Sequence, residues 1–427
     1  MLKTLDLRRN SYLLVKGAAR LNIIDGSIDV FGAILKSGDN VIIPLESQVP
    51  VRVINDSKIE VYLSNEDCIC EIDYNPIPDS WENTVNKASN AKIIVVLGDV
   101  DVGKSGFTLY LANRLIRFNK KVAIVDSDIG QSDVGPPCTI GLSILDKQYP
   151  TYWSLPTTDA YFVGDKTPVG HLLPMVVGTR EMVDRALSRG VDTVIVNTTG
   201  FVYGGVAYAL KRYKIEALKP DLIVAIQRAD EIEHLLRIFE GMYEIARVDV
   251  PKSIVRKNER PLYRRLKISR FFKDPVRLEL KISRVKIMNA LNGLICDDEE
   301  LVNSIQRCVG LKPDLILEDA RSITIVFSKM ISKDKMSNLR GMLSKRYGEV
   351  RIATTQFYKG LILGLYDDSR RFLGIGLLEE LDFKRDRLIV KTPVRDPDNV
   401  RIVYFGYISF NDDLTERVKF KPGLGIV

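Results

Sequence analysis

The stretch VVLGDVDVGKSG, residues 95–106, contains the pattern G-x-x-x-x-G-K-[ST] between Gly98 and Ser105. Apolar residues precede the pattern, and a helix-like stretch, FTLYLANRLIRF, follows it. Glycines in such a strand-to-helix turn let backbone N–H groups point at phosphate oxygens, and the helix N-terminus adds partial positive charge. The stretch therefore predicts a nucleoside triphosphate site in which Lys104 reaches the β- and γ-phosphates and Ser105 holds Mg²⁺. The predicted nucleotide-binding residues are Gly98, Asp99, Val100, Asp101, Val102, Gly103, Lys104, Ser105 and Gly106.

The chain around this loop divides into three predicted domains. At 427 residues it is too long for one ordinary core. Residues 1–82 contain short β-rich runs, with a hairpin predicted at Asp25-Gly26. Residues 83–275 alternate buried-strand and helix patterns, which predicts an α/β domain with a doubly wound, mainly parallel sheet. Residues 276–427 again contain mostly strand patterns, so β-rich domains are expected on both sides of the central one. The buried-strand candidates are residues 92–97, 121–126, 192–197 and 221–226.

Charge is concentrated in one segment. Residues 252–286 contain 13 Lys and Arg against 3 acids, an excess of +10 in a chain whose total is +7. The remainder is therefore slightly acidic, and the segment is a candidate site for a polyanion. The alternative is a solvated basic helix face.

The remaining composition indicates the compartment. Five cysteines are sparse, and Cys68 and Cys70 have no second ligand pair nearby in sequence, so a thiol pair is favoured over a metal site. No apolar run approaches the roughly 18 residues of a membrane span, so no membrane contact is expected. These features predict a cytoplasmic protein in a reducing environment.

The second buried strand ends in two acids, in VAIVDSDIGQSDVGPP, residues 122–137. Asp126 and Asp128 should point the same way from an extended strand, beside the phosphate loop. One could hold the metal's water shell while the other accepts a proton from a nucleophile. Ordinary turn or helix-capping aspartates are the alternative.

Two further segments carry candidate residues. NTTGF, residues 197–201, ends the third buried strand, where hydroxyls and a glycine can touch phosphate or substrate. VRKNERPLYRRLKISRFF, residues 255–272, places Arg260 and Arg264 four apart, on one helix face unless Pro261 ends that helix early. An arginine closing over the triphosphate would stabilise charge on a transferring phosphoryl group.

The motifs GDVDVGKS, DSDIGQ, NTTGF, VPKS and R-x-x-x-R occur here in one order. In this order the chain resembles the polynucleotide 5′-hydroxyl kinase family, which includes the RNA kinase subunit of the eukaryotic pre-mRNA cleavage factor, an rRNA-processing kinase and archaeal relatives. The resemblance implies transfer of the γ-phosphate of ATP, with Mg²⁺, to the 5′-hydroxyl of RNA, and often of DNA. Protein partners are not implied by any of these motifs.

The resemblance also implies roles for individual residues. Lys104 and Ser105 match the Walker A residues, and Asp126 and Asp128 match a D-x-D motif whose second acid is the general base and a ligand in the metal's shell. Arg260 and Arg264 match catalytic arginines of a lid. The substrate-binding residues are then Gln131, from the same motif as the acids, and Thr198, Thr199, Gly200 and Phe201, from a T-x-G clasp. Phe201 departs from the family, because many members have Trp there.

Two other functions stay open from the sequence. A GTPase or switch ATPase would share the phosphate loop, and Asp230 in AIQRAD partly fits a guanine-reading motif, but its Asn/Thr and Lys are missing. An ATP-binding scaffold of an RNA-processing complex is the other alternative. The intact Lys104, Asp128 and Arg264 favour an active enzyme over this scaffold.

Overall fold

The computed structural model describes residues 1–45, 47–252 and 260–420, without the side chains of residues 260–264 and 267. It forms two compact units, Met1–Leu266 and Lys267–Val427. The first unit contains the N-terminal strands together with the central sheet. Within the described residues, no helix is long and apolar enough to cross a membrane.

The N-terminal part of the first unit is an antiparallel sheet. Its order is β4-β3-β6-β2-β7, with β1 paired to β6 and β5 paired to β3. Alternate side chains of these strands point into one apolar core, as expected for a sheet with one covered face. The strands are β1 (Leu2–Leu7), β2 (Tyr12–Lys16), β3 (Ala19–Val30), β4 (Ala33–Lys36), β5 (Asn40–Ile43), β6 (Gln48–Leu63) and β7 (Ile69–Ile72).

The hairpin predicted at Asp25-Gly26 is wrong. Strand β3 runs through both residues, and its pairing with β6 shifts register around them, as at a β-bulge. The chain reverses instead at Phe31 and Gly32, whose φ angles are 45° and 80°, directly between the paired residues Val30 and Ala33. Two consecutive positive φ angles give the turn twist that suits a two-residue hairpin loop. The turn presents Phe31 toward the central domain.

The central part is a sheet in the order β11-β10-β9-β12-β8-β13-β14. Strand β10 is antiparallel to both of its neighbours, β9 and β11, and every other neighbouring pair is parallel. The predicted doubly wound, mainly parallel sheet is confirmed. All four predicted buried strands are present within one residue of their expected bounds. The elements are α1 (Asp79–Ala88), β8 (Ile93–Gly98), α2 (Lys104–Arg117), β9 (Val122–Ser127), β10 (Thr139–Leu145), β11 (Asp159–Phe162), α3 (Leu172–Ser188), β12 (Thr193–Thr198), α4 (Gly205–Leu218), β13 (Leu222–Gln227), α5 (Glu233–Leu236), β14 (Glu244–Asp249) and α6 (Arg260–Phe271).

Helices cover both faces of this sheet. Helices α1 and α2 bury one face, and α3, α4 and α5 bury the other. Because β8, β9 and β12 are parallel, their carboxyl ends lie at the same edge, where ligands bind in open α/β sheets. The N-terminal sheet packs along α2: Asn113 donates to the Phe31 carbonyl at 2.8 Å, and Arg117 pairs with Asp29 at 2.9 Å.

The second unit contains two sheets. The larger has the order β15-β23-β22-β21-β24-β16 with β25 paired to β24, and the smaller has the order β17-β18-β19-β20. The elements are β15 (Val276–Leu280), β16 (Lys286–Met288), β17 (Leu294–Ile295), α7 (Glu299–Val309), β18 (Leu315–Glu318), β19 (Ser322–Phe327), α8 (Lys333–Leu343), β20 (Glu349–Thr354), β21 (Leu361–Tyr366), β22 (Phe372–Asp382), β23 (Arg387–Thr392), β24 (Ile402–Phe410) and β25 (Glu416–Lys419).

Helices α7 and α8 lie in a region where the sequence predicts mostly strands. They pack on the smaller sheet through one apolar cluster. Asp298 caps the N-terminus of helix α7, where its carboxylate accepts from the backbone N–H groups of Glu300 and Leu301, and Gly310 follows the helix in the left-handed conformation. Both end signals are present in the sequence, so this helix was open to prediction.

Candidate functional site

The phosphate loop connects β8 to α2 and borders a cavity of about 610 Å³. Gly103 has φ 92°, a conformation that favours glycine, and it begins α2 directly before Lys104. Val102 is fully buried in the core and anchors the loop from behind. The predicted loop residues that line the cavity are Asp99, Val100, Asp101, Gly103, Lys104, Ser105 and Gly106. Gly98 and Val102 lie beneath them.

Lys104 is held inside the loop that it follows. Its ammonium donates to the carbonyl of Asp99 at 2.5 Å, and its side chain is almost fully buried. Burial lowers the pKa of Lys104 to about 8, although the charges of Asp128, Asp99 and Asp101 oppose this shift. The nearby carboxylates offset the burial of this ammonium only in part, and a phosphate anion in the loop would add the missing negative charge.

The two predicted acids have different surroundings. Asp126 is buried and accepts four hydrogen bonds, from the backbone N–H groups of Asp133, Val134 and Asp128 and from the Asn197 amide, at 2.7–3.3 Å. Asp128 lies beyond the end of β9 and lines the cavity, where one oxygen accepts from the Gly130 backbone at 3.2 Å. Of the two acids, which were expected to point the same way and to divide the work, only Asp128 borders the cavity.

Asn197 connects the phosphate loop to the acids. Its amide nitrogen lies 3.3 Å from the Ser105 hydroxyl and 3.2 Å from Asp126, and it pairs in register with Asp126 across β12 and β9. The buried Tyr152 hydroxyl lies beside Asn197, and burial together with the charges of Asp126 and Asp133 raises the pKa of this tyrosine well above its ordinary value. Asn197 was not predicted as a site residue, although its place at a strand end was a signal.

The clasp, residues 198–201, divides between core and cavity. Thr198 is buried and donates to the Val96 carbonyl of β8 at 2.7 Å, so its hydroxyl faces away from the cavity. Thr199, Gly200 and Phe201 line the cavity, as does Gln131. The structure thus brings the predicted substrate-binding residues together, apart from Thr198.

The apolar end of the cavity was not predicted. Phe31, from the N-terminal hairpin, packs against Gly106 in the first turn of α2, where a Cβ atom would lie 3.0 Å from the ring. The apolar residues that line this end are Leu14, Phe31, Pro44, Val49, Pro50, Pro76, Ile77, Trp81 and Pro251. An apolar surface in the same cavity as a phosphate loop suits a ligand that carries both an apolar ring and an anionic group.

The side chains of the two predicted lid arginines lie outside the described part of the structure. Arg260 begins α6 and Arg264 follows one turn later, but their side chains are not among the described ones. Their assignment as catalytic residues stays a prediction.

Comparison with known proteins identifies the family. The chain is 32% identical to the polyribonucleotide 5′-hydroxyl-kinase of Pyrococcus horikoshii over 346 residues, which cover 79% of this chain and 92% of that protein. It is 31% identical to the enzyme of the same name from Methanocaldococcus jannaschii over 332 residues, covering 75% and 87%. This chain belongs to the polyribonucleotide 5′-hydroxyl-kinase family. Residues 98–274 also match the family model of the mRNA cleavage and polyadenylation factor CLP1 P-loop.

The fold of this kinase family member is also found in a solved structure. The wild-type Clp1p in a Clp1p–Pcf11p complex superposes with a TM-score of 0.64 over 95% of this chain and 97% of that one, at 14% identity. This agreement supports the P-loop fold. The phosphate loop, both acids and the clasp all fall inside the matched residues 98–274.

Proposed function

We propose that this chain is an ATP-dependent polynucleotide 5′-hydroxyl kinase that phosphorylates the 5′-hydroxyl end of RNA in the cytoplasm. Relatives about 30% identical over most of the chain are named as kinases of this kind. The observation that supports the chemistry most directly is one cavity bordered by Lys104 and Ser105 after β8, Asp128 after β9 and Gly200 after β12. These residues supply a phosphate cradle, a carboxylate and a substrate clasp at one sheet edge.

The phosphate loop binds the triphosphate. Its backbone N–H groups and the N-terminus of α2 face the β- and γ-phosphates, and Lys104 neutralises their charge. The apolar end of the cavity, around Phe31 and Ile77, then takes the adenine ring. Because the cradle and the ring pocket belong to one cavity, both ends of ATP are bound together.

Mg²⁺ fits the donors at this edge. The Ser105 hydroxyl and the Asp128 carboxylate both line the cavity, and hard oxygen donors of this kind, completed by phosphate and water, suit this ion. Asp126 already accepts four hydrogen bonds, so it would act on the ion through water rather than directly. When bound, the ion would neutralise charge on the phosphates.

The transfer step needs a base and an aligned acceptor. The 5′-hydroxyl oxygen bonds to the γ-phosphorus while the bond from that phosphorus to the β–γ bridging oxygen breaks, and ADP leaves. Asp128 accepts the hydroxyl proton, because it lines the cavity beside the phosphate loop and matches the general base of the D-x-D motif. Thr199, Gly200 and Phe201 hold the terminal nucleotide opposite it.

A labelling experiment tests the proposal. Protein, Mg²⁺ and γ-labelled ATP are incubated with 5′-hydroxyl RNA and with 5′-hydroxyl DNA of the same sequence. Label is expected on RNA, and the DNA arm measures whether DNA is a second substrate. Asp128→Asn and Lys104→Ala should abolish labelling without unfolding the protein. Asp184→Asn is the matched control, because its carboxylate forms an exposed pair with Arg180 on α3.

The same experiment separates the other functions. RNA that already carries a 5′-phosphate must stay unlabelled if a free 5′-hydroxyl is the acceptor. Hydrolysis of GTP with no label on either polymer would replace the kinase with a GTPase. ATP binding with no turnover would leave only a scaffold role.

A further inference from the structure

Helix α4 carries two lysines whose burial the kinase chemistry does not explain. Lys211 and Lys214 are each only 1% exposed, and their spacing of three places them on one helix face. Neither forms an ion pair with a carboxylate among the described side chains. Burying an ammonium group without a carboxylate partner costs folding free energy, so we look for a functional role for these two lysines.

The two lysines contact the two segments that form the site. Lys214 donates to the hydroxyl of Ser127, the residue between the two acids. The Ser127 hydroxyl also lies 2.8 Å from the Thr179 hydroxyl of α3. Lys211 donates to the Thr198 hydroxyl at 2.9 Å and to the carbonyl of Thr199. One face of α4 therefore holds both the acidic segment, residues 126–128, and the clasp.

Strand alternation explains why the lysines lie behind the site. Asp126 and Asn197 point toward α2 and the cavity side, where they contact each other. Ser127 and Thr198, the next residues, point to the opposite face of the sheet, toward α3 and α4. The two lysines therefore contact the ends of β9 and β12 from the α3–α4 face of the sheet. The opposite face of the same strand ends carries Asp126 and Asn197.

Electrostatics agree with this placement. Burial lowers the pKa of Lys214 to about 7, and the charges of Asp128 and Asp126 oppose that shift. Burial and the neighbouring cations Lys214 and Lys104 lower the pKa of Lys211, against the charge of Asp128. Each buried lysine is therefore attracted electrostatically by the carboxylates of the acidic segment.

We propose that Lys211 and Lys214 are positioning residues for phosphoryl transfer, Lys214 orienting the acidic segment and Lys211 orienting the clasp. The inference rests on the proposed kinase function. Neither lysine touches a reacting atom. Each acts through the strand end that it contacts, and their shared helix fixes the distance between base and acceptor.

Lys214→Met and Lys211→Met test the two roles separately. Methionine keeps most of the volume and removes the charge, so thermal stability should stay equal or rise. Lys214→Met should lower kcat about 10- to 100-fold at unchanged KM for ATP, because small misplacements of catalytic groups have effects of this size. Lys211→Met should mainly raise KM for the RNA. Arg212→Met on the exposed face of α4 is the control, with no change in either constant expected.

Ser127→Ala gives an independent test that leaves both lysines in place. If Lys214 acts through the serine hydroxyl, the double variant Ser127→Ala with Lys214→Met should be no slower than the slower single variant. Should Lys214→Met fail to fold, a loss of kcat in Ser127→Ala still supports the inference, and an unchanged kcat overturns it.

Two results would overturn the inference. The first is full activity in both lysine variants. The second is activity that falls only in proportion to a lowered folded fraction, which would indicate a purely structural role. Wild-type protein that labels neither RNA nor DNA would instead reject the kinase function.

Discussion

Replacing Gly200 with alanine is expected to push the clasp away from the phosphate loop. A Cβ atom on Gly200 would lie 2.6 Å from Val100 Cγ2, 2.7 Å from Val100 N and 2.8 Å from Val100 Cα. To regain an ordinary contact of 3.4 Å, the two segments must separate by about 0.6–0.8 Å. Two of the three atoms are backbone, so a rotamer change of Val100 cannot relieve the clash.

This displacement is large for a catalytic site. A misplacement of about 1 Å can lower a rate by about 100-fold, and overpacking destabilises a fold by about 1–3 kcal/mol. We therefore expect kcat/KM for RNA labelling to fall about 10- to 100-fold in Gly200→Ala. Urea unfolding of the same variant should show a loss of about 1–3 kcal/mol.

Gly205→Ala is the matched control. A Cβ atom at Gly205, in the first turn of α4, meets nothing within 4 Å. Its labelling activity should be unchanged, and its stability should rise by up to about 1 kcal/mol from the better helix propensity of alanine. Activity of Gly200→Ala within twofold of wild type would refute the reasoning. Val100→Gly should not rescue Gly200→Ala, because the Val100 N and Cα atoms, 2.7 and 2.8 Å from the added Cβ, stay in place.

Three other changes have defined outcomes. Phe31→Ala should weaken ATP binding about tenfold by calorimetry, because a base stacked on an aromatic ring gains about 1–3 kcal/mol. Lys104→Met should abolish labelling while the melting temperature stays equal or rises, since burial has lowered the pKa of this lysine to about 8. In nucleotide-free protein, Lys214 should make the free energy of unfolding rise between about pH 7 and pH 10.5, and Lys214→Met should reduce that rise by several kcal/mol in urea unfolding.

The sign of the pH effect follows from proton binding. Above pH 7 folded Lys214 releases its proton, while the unfolded lysine keeps one up to about pH 10.5, so raising the pH favours the folded state. Identical pH slopes in wild type and Lys214→Met would contradict this. Phe118→Ala, on an exposed ring after α2, and Lys87→Met, on an exposed side chain of α1, are the controls for Phe31 and Lys104. An equal loss in a control and its test variant would contradict the assigned role.

The central fold was predictable because its signals are local. The phosphate loop lies between an apolar run and a helix pattern, and strands covered on both faces have continuous apolar sequences. The turn at Phe31 and Gly32 was missed because Asp25-Gly26 has the stronger hairpin signal, yet its glycine serves a bulge. The apolar end of the cavity could not be predicted, because it is assembled from Leu14, Phe31 and other residues far apart in the chain.

The unequal roles of the acids depend on tertiary structure. Alternation along an ideal strand makes Asp126 and Asp128 equivalent, but β9 ends at Ser127. The backbone N–H groups of Asp133 and Val134, from the following loop, then bind Asp126 and leave Asp128 to border the cavity. No pattern within residues 122–137 shows which acid the later loop will bind.

The sheet edge combines buried cations with a buried, fully hydrogen-bonded anion, and this combination bears on how ATP binds. Lys104, at the mouth of the loop, has a pKa lowered by burial, so its charged form is destabilised in the protein alone. A triphosphate bound in the loop would place negative charge beside Lys104 and so stabilise its charged form. Part of the binding free energy of ATP therefore comes from pairing the buried Lys104 ammonium with phosphate. A neutral side chain of similar size at position 104 should lower the affinity for ATP and raise the free energy of unfolding of the nucleotide-free protein.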